Sequence, residues 1–149
     1  MQIHLDGSNE MRASRESVFK LLTDPAFLAK TLPDAEDVRV LDERSLEAKI
    51  KLRLAVVSST LKVRMTVAGA EAPVRAKLLA EGSGSGSSMK IVSTFTLEGD
   101  RPTLMKWAAD AEISGVMAGL GSTILKGFAT RKVSEIFEGI TRAVESSAV

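Results

Sequence analysis

Between residues 46 and 56 the apolar side chains stand at every second position: Leu46, Ala48, Ile50, Leu52, Leu54 and Val56. Glu47, Lys49, Lys51 and Arg53 fill the places between them. A side-chain period of two with one dry and one charged face predicts a half-buried antiparallel strand. Residues 60–67 repeat the pattern, with Leu61, Val63, Met65 and Val67 inward and Thr60, Lys62, Arg64 and Thr66 outward. Val57-Ser58-Ser59 is then left over as a hairpin turn. Val74, Ala76, Leu78 and Ala80 continue the alternation against Arg75, Lys77 and Glu81. Met89, Ile91 and Phe95 follow, then Met105, Trp107, Ala109, Ala111 and Ile113. With residues 37–42 added, the pattern predicts six consecutive strands in an antiparallel meander.

The period differs at both ends of this run. Residues 2–12 alternate weakly (Ile3, Leu5, Met11) and predict a first strand. Ser14 stands at an N-cap position, Glu16 falls in the first turn, and Val18, Leu21 and Leu22 form an i, i+3, i+4 face, so a short helix follows. Asp24 as cap and Pro25 at the first helical position open a second one, carrying Phe27, Leu28 and Leu32. Leu32-Pro33-Asp34 ends it. These apolar residues exceed what so short a helix needs to pin itself, which suggests a movable lip with Phe27 at its edge. Residues 118–146 contain no proline and bring Leu120, Ile124, Phe128, Val133, Ile136, Phe137, Ile140 and Val144 to one face. That predicts one amphipathic helix of roughly 40 Å. It must lie on the only large dry surface available, the concave face of the sheet.

The chain of 149 residues fits a single domain, 1–149, with 20 Lys and Arg against 19 Asp and Glu. Aromatic residues make up 4%, so neither a basic excess nor a stacking platform for nucleic acid is present. Cysteine is absent, which excludes disulfides, thiolate metal sites and cysteine nucleophiles and is compatible with a reducing cytoplasm. No apolar run approaches the roughly 20 residues of a membrane-spanning helix. His4 is the lone histidine, so a transition-metal site would need carboxylates alone. No inward strand position carries a pair of acids, and the serines have no base beside them. Catalysis finds no players, and no tightly bound cofactor is expected.

Strand, two short helices, six strands and a long helix is the element order of the helix-grip fold, an α+β architecture shared by START-like and birch-pollen-allergen-like proteins. It makes a cavity between sheet and helix the expected site of an apolar small molecule. The candidate lining comes from the sheet at Leu52, Leu54, Val63, Met65, Met89, Ile91, Phe95, Trp107, Ala109 and Ala111. From the helices come Phe27, Met117, Leu120, Ile124 and Phe128. The small Ala109 and Ala111 beside bulky Met105 and Trp107 leave volume, and methionines adapt to irregular shapes. A filled core is the plainer reading of the same residues. Gly82-Ser83-Gly84-Ser85-Gly86-Ser87-Ser88 reads either as a mobile hairpin loop or as a strand end without inward side chains. Gly119 and Gly121 at the head of the long helix fit close packing or a thin pocket mouth.

Val18-Phe19-Lys20-Leu21-Leu22-Thr23-Asp24-Pro25 resembles the opening helix motif of START-like proteins. Leu32-Pro33-Asp34-Ala35-Glu36 resembles the corresponding segment of the CoxG family, the G-type subunits of carbon monoxide dehydrogenase. Glu81-Gly82 with the Gly/Ser run, Ala109-Asp110-Ala111-Glu112-Ile113, and Ala118-Gly119-Leu120-Gly121 are similar to that family's strand end, last strand and helix start. The resemblance covers nearly the whole chain. It departs at Asp34 and Ala35, where the family has Gly and Cys. It implies an accessory partner of a molybdenum-containing carbon monoxide dehydrogenase or related hydroxylase, handling a quinone or lipid, cytoplasmic with peripheral contact at the inner face of the membrane. A ligand-free assembly module and a START-like cyclase or hydrolase are the alternatives.

Overall fold

A computed structural model describes residues 1–32, 34–54 and 57–147, with the backbone alone at Leu54, Val57 and Ser147. Strand β1 (Gln2–Met11) is followed by α1 (Arg15–Leu22) and α2 (Pro25–Thr31). The meander comes next: β2 (Ala35–Val40), β3 (Ser45–Leu54), β4 (Val57–Glu71), β5 (Arg75–Gly84), β6 (Ser87–Gly99) and β7 (Thr103–Gly115). A 3-10 turn (Met117–Leu120) and α3 (Ser122–Ser147) end the chain. All seven strands form one antiparallel sheet in the order β1-β7-β6-β5-β4-β3-β2. The first strand thus joins the far end of the meander.

The caps act as their residue types dictate. Ser14 Oγ accepts the Ser17 amide at 3.2 Å, and Asp24 Oδ1 accepts the Ala26 amide at 3.0 Å with Pro25 behind it. Three details depart from the sequence pattern, and the strand-end reading of the Gly/Ser run is the one that holds. Strand β2 begins two residues earlier than 37, at Ala35, because its ladder with β3 starts at Ala35–Ile50. Val57, Ser58 and Ser59 belong to β4, since Leu54 pairs with Val57 and Leu52 with Ser59. The expected turn at 57–59 is therefore strand, and residues 55–56, like Pro33, lie outside the described residues. The long helix starts at Ser122 rather than 118, because Gly121 adopts φ 89° and separates it from the 3-10 turn. The Gly/Ser run is strand at both ends: β5 continues through Gly84, and a two-residue turn, Ser85-Gly86, returns it to β6. Both turn residues have positive φ (51° and 75°), as a type I′ hairpin requires.

Two apolar clusters fill the concave side. One gathers α1, α2 and the C-terminal half of α3 (Phe137, Ile140, Val144) over Met11, Leu46, Leu78, Phe95 and Met105. The other joins Leu52, Leu61, Val63, Ile113 and Met117 to Leu125 near the start of α3. Leu28 is buried in the first cluster, with Phe27 and Leu32 packed against it, so α2 is pinned rather than a free lip. On the outer face Lys49 pairs with Asp37, Lys51 with Glu36, Lys62 with Glu47 and Arg75 with Glu71. Among the described residues no helix is long and apolar enough to cross a membrane.

Candidate ligand chamber beneath the long helix

The inward register runs across the sheet in rows. One reads Ile3–Ala111–Ile91–Ala80–Met65, the next Leu5–Ala109–Ser93–Leu78–Val67. Where α3 is pinned at either end, the side chains below it are buried. In the middle several are only partly buried. Leu5, Ile50, Met65, Ala80, Ile91, Ala109 and Ala111 face inward and still keep part of their surface open. Among the described residues, Ile91 and Ala109 pack against neither cluster. The helix mirrors this: between buried Leu125 and buried Phe137, its sheet-facing Phe128, Ala129, Val133 and Ile136 are only half-buried. Twelve residues of helix, roughly 18 Å, bridge the two anchors. The backbone of α3 approaches β1 and β3, the sides of the curl, more closely than the strands of its floor. The sheet-facing surface under the middle of α3 is therefore less completely buried than that at its two ends.

The sequence-predicted lining divides accordingly. Met65, Met89, Ala111 and Phe128 are partly buried against the second cluster, and Ile91 and Ala109 are partly buried inward positions in the middle region between the clusters. Leu52, Val63, Phe95 and Met117 are buried in its end walls, and Leu120 packs on the second cluster. The backbone of Leu54 ends β3, and its side chain is not described. Phe27 packs on the first cluster beside α1. Ile124 is a correction: it is 44% exposed, whereas Leu125 is 2% exposed and takes the inward place. The helix begins four residues later than expected, and this sets which of two adjacent aliphatics turns inward.

The inward face also holds hydroxyls and an amide that the apolar pattern passed over. Thr103 donates to the Ala13 carbonyl at 2.8 Å, Ser87 Oγ accepts the Met117 amide at 3.0 Å, and Asn9 Oδ1 accepts the Trp107 indole N–H at 3.4 Å. Ser59, 4% exposed, has an unpartnered Oγ among the described residues. Ser93 sits in the floor row between Ala109 and Leu78. Strict alternation through Ile91 and Phe95 would have found it.

Two openings flank α3. Along β1 a slot of about 310 Å³ is lined by Leu5, Gly7, Trp107, Val133 and Phe137. Trp107 stacks on Phe137 with ring centroids 4.8 Å apart at 27°, and Phe95 meets Phe137 edge-on at 6.1 Å. Gly7 pairs with Trp107 across the strands, and the indole occupies the place of the missing side chain, 2.8 Å from where a Cβ would lie. On the opposite side, beside β3, a cleft of about 500 Å³ is lined by Asp34, Ala35, Glu36, Lys51, Arg53, Phe128, Arg131, Lys132 and Glu135. Lys132 Nζ donates to Asp34 at 2.6 Å and Glu135 at 3.2 Å, and lies 5.8 Å from the centroid of the Phe128 ring. The hydrogen bond from Lys132 holds the Asp34 carboxyl below the usual carboxylate range, helped by its charge and more weakly by Arg53. The same bond raises the Lys132 ammonium.

The sequence model of CoxG, the G-type subunit of carbon monoxide dehydrogenase, matches residues 7–145. The chain belongs to the CoxG family. Its fold is similar to that of a conserved protein from Geobacillus kaustophilus, with 24% identity, a TM-score of 0.87, and 99% and 98% of the two chains covered. A START superfamily protein from Mycobacterium smegmatis aligns with a TM-score of 0.64 at 16% identity, covering 97% and 96%. The Zhui aromatase/cyclase from Streptomyces sp. R1128 aligns at 0.68 and 12% identity, covering 97% and 94%. No curated protein matches the sequence. At these identities the solved structures establish the helix-grip fold of this CoxG-family chain and nothing finer.

Proposed function

We propose that this CoxG-family chain is a non-catalytic accessory protein of a molybdenum-containing carbon monoxide dehydrogenase-type system, carrying a hydrophobic molecule, a quinone or lipid, in the chamber beneath α3. The observation that carries the reading is the half-open middle of the chamber. Its floor and the helix above it are apolar, and both are only partly buried there. Burying such surface against a ligand stabilises by about 25 cal/mol per Å² of apolar area removed from water. The inward-facing strand positions described are apolar, glycine, hydroxyl or amide, so proton transfer has no ionisable group at the chamber floor. The same fold hosts an aromatase/cyclase, but this chain's floor is fitted to hold rather than to convert. Loading would take place at the inner face of the membrane, by peripheral contact, from a cytoplasmic protein.

Native mass spectrometry and organic extraction of the purified protein test this. The expected result is one prenyl quinone or lipid molecule per chain, retained from the cell or acquired from quinone-loaded liposomes. A chain that keeps its bare mass after both treatments is not a carrier.

A further inference from the structure

Strand β2 covers the edge of β3 only as far as Lys51, whose amide donates to the Asp34 carbonyl at 3.3 Å. Beyond it the end of β3 has no partner on that side among the described residues, and the cleft lies between this bare edge and α3. Four cations face three carboxylates in the cleft, an excess of one positive charge. All three of its carboxylates are engaged by Lys51 and Lys132. Arg53 on β3 and Arg131 on α3 remain, exposed and without a carboxylate partner among the described residues. The apolar wall of the same cleft is Phe128, which also packs against the cluster at the chamber's end. Two guanidiniums with no ion pair among the described residues, Arg53 acting on Asp34 only at longer range, thus share the cleft with an aromatic ring that packs on the apolar interior. Guanidinium groups match carboxylate and phosphate oxygens with paired, charge-assisted hydrogen bonds.

We propose that this cleft binds the anionic head, carboxylate or phosphate, of an amphiphile whose apolar tail passes Phe128 into the chamber. The inference rests on the chamber reading above and narrows its ligand to an acid-headed lipid class. Arg53 and Arg131 set the preference for the charged head, and the chamber supplies the affinity for the tail.

The test uses methyl cis-parinarate, a neutral fluorescent chain, as the probe of the chamber. Oleic acid, oleoyl lysophosphatidic acid and methyl oleate compete against it at low salt. At least one acid should displace the probe roughly tenfold more effectively than methyl oleate. Which of the two does so identifies the head. In the double variant Arg53→Gln, Arg131→Gln the advantage should vanish while competition by methyl oleate is unchanged. Raising the salt should shrink the advantage in the wild type, because the cleft is open to solvent. If neither acid outcompetes methyl oleate, or the advantage survives in the double variant, the head site is refuted and the chamber stands. If the probe itself does not bind, the chamber reading and this inference fall together.

Discussion

His4 projects from the outer face of β1, with Nδ1 2.7 Å from Asp110 on β7 and Nε2 3.0 Å from Asp6 two residues along. Hydrogen bonding to Asp110 first, then to Asp6, raises its imidazole above the ordinary value. The raised group favours the protonated native state. Its contribution is therefore complete below the unfolded value of about 6.5 and is lost as pH rises through the native one. An NMR titration should show the His4 midpoint above that of the unfolded chain, and Asp110→Asn should lower it more than Asp6→Asn. A midpoint at or below the unfolded value would contradict the geometry. The residue is a clasp between edge strand and neighbour. Among the described residues no cluster with the makings of a metal site includes it.

At the scale of elements, α3 matters most, because its two anchors and its half-covered centre define the chamber. Leu125 belongs to the anchor at the start of the helix, and its neighbour Ile124 faces water. Leu125→Ala should cost roughly 2–5 kcal/mol in denaturant unfolding. Ile124→Ala should stay within about 0.5 kcal/mol. Equal costs would mean that the helix is rotated from the orientation described. This pair also marks where the sequence ceased to be legible. The strands were readable because charged and apolar residues alternate strictly from Leu46 to Arg53 and from Thr60 to Val67. The caps were readable because Ser14 and Asp24-Pro25 have few other uses. The rotation of α3 was not, since Ile124 and Leu125 are equally apolar and Gly121 shifts the phase between them. The sequence puts a turn at 57–59 because Ser58 and Ser59 look like turn residues, yet both pair within β4 and Ser59 takes an inward place. Ser93 was missed for a related reason: a single hydroxyl inside an apolar row leaves the overall pattern intact.

Taken whole, the molecule is a curled sheet closed at both ends by side-chain clusters and spanned by one helix, with an opening on each flank. The two openings differ in chemistry. The β1 slot presents Trp107 and Phe137, and the β3 cleft presents charge. Under the proposed carrier function, the cargo would lie along the helix axis. The claim on which this depends is that the middle of the chamber is empty of protein. Ala109 is at its floor, paired with Leu5 and Ser93 on the neighbouring strands, and among the described residues packs against neither cluster. The melting temperature of Ala109→Trp tests the claim most directly. In an open chamber the indole fills space that a ligand otherwise occupies, and the ligand-free protein should melt within a degree or two of the wild type, since buried aromatic surface offsets the lost freedom of the ring. In a solid core the same change would overpack and cost about 1–3 kcal/mol or more, lowering the melting temperature by several degrees. That drop would contradict the account.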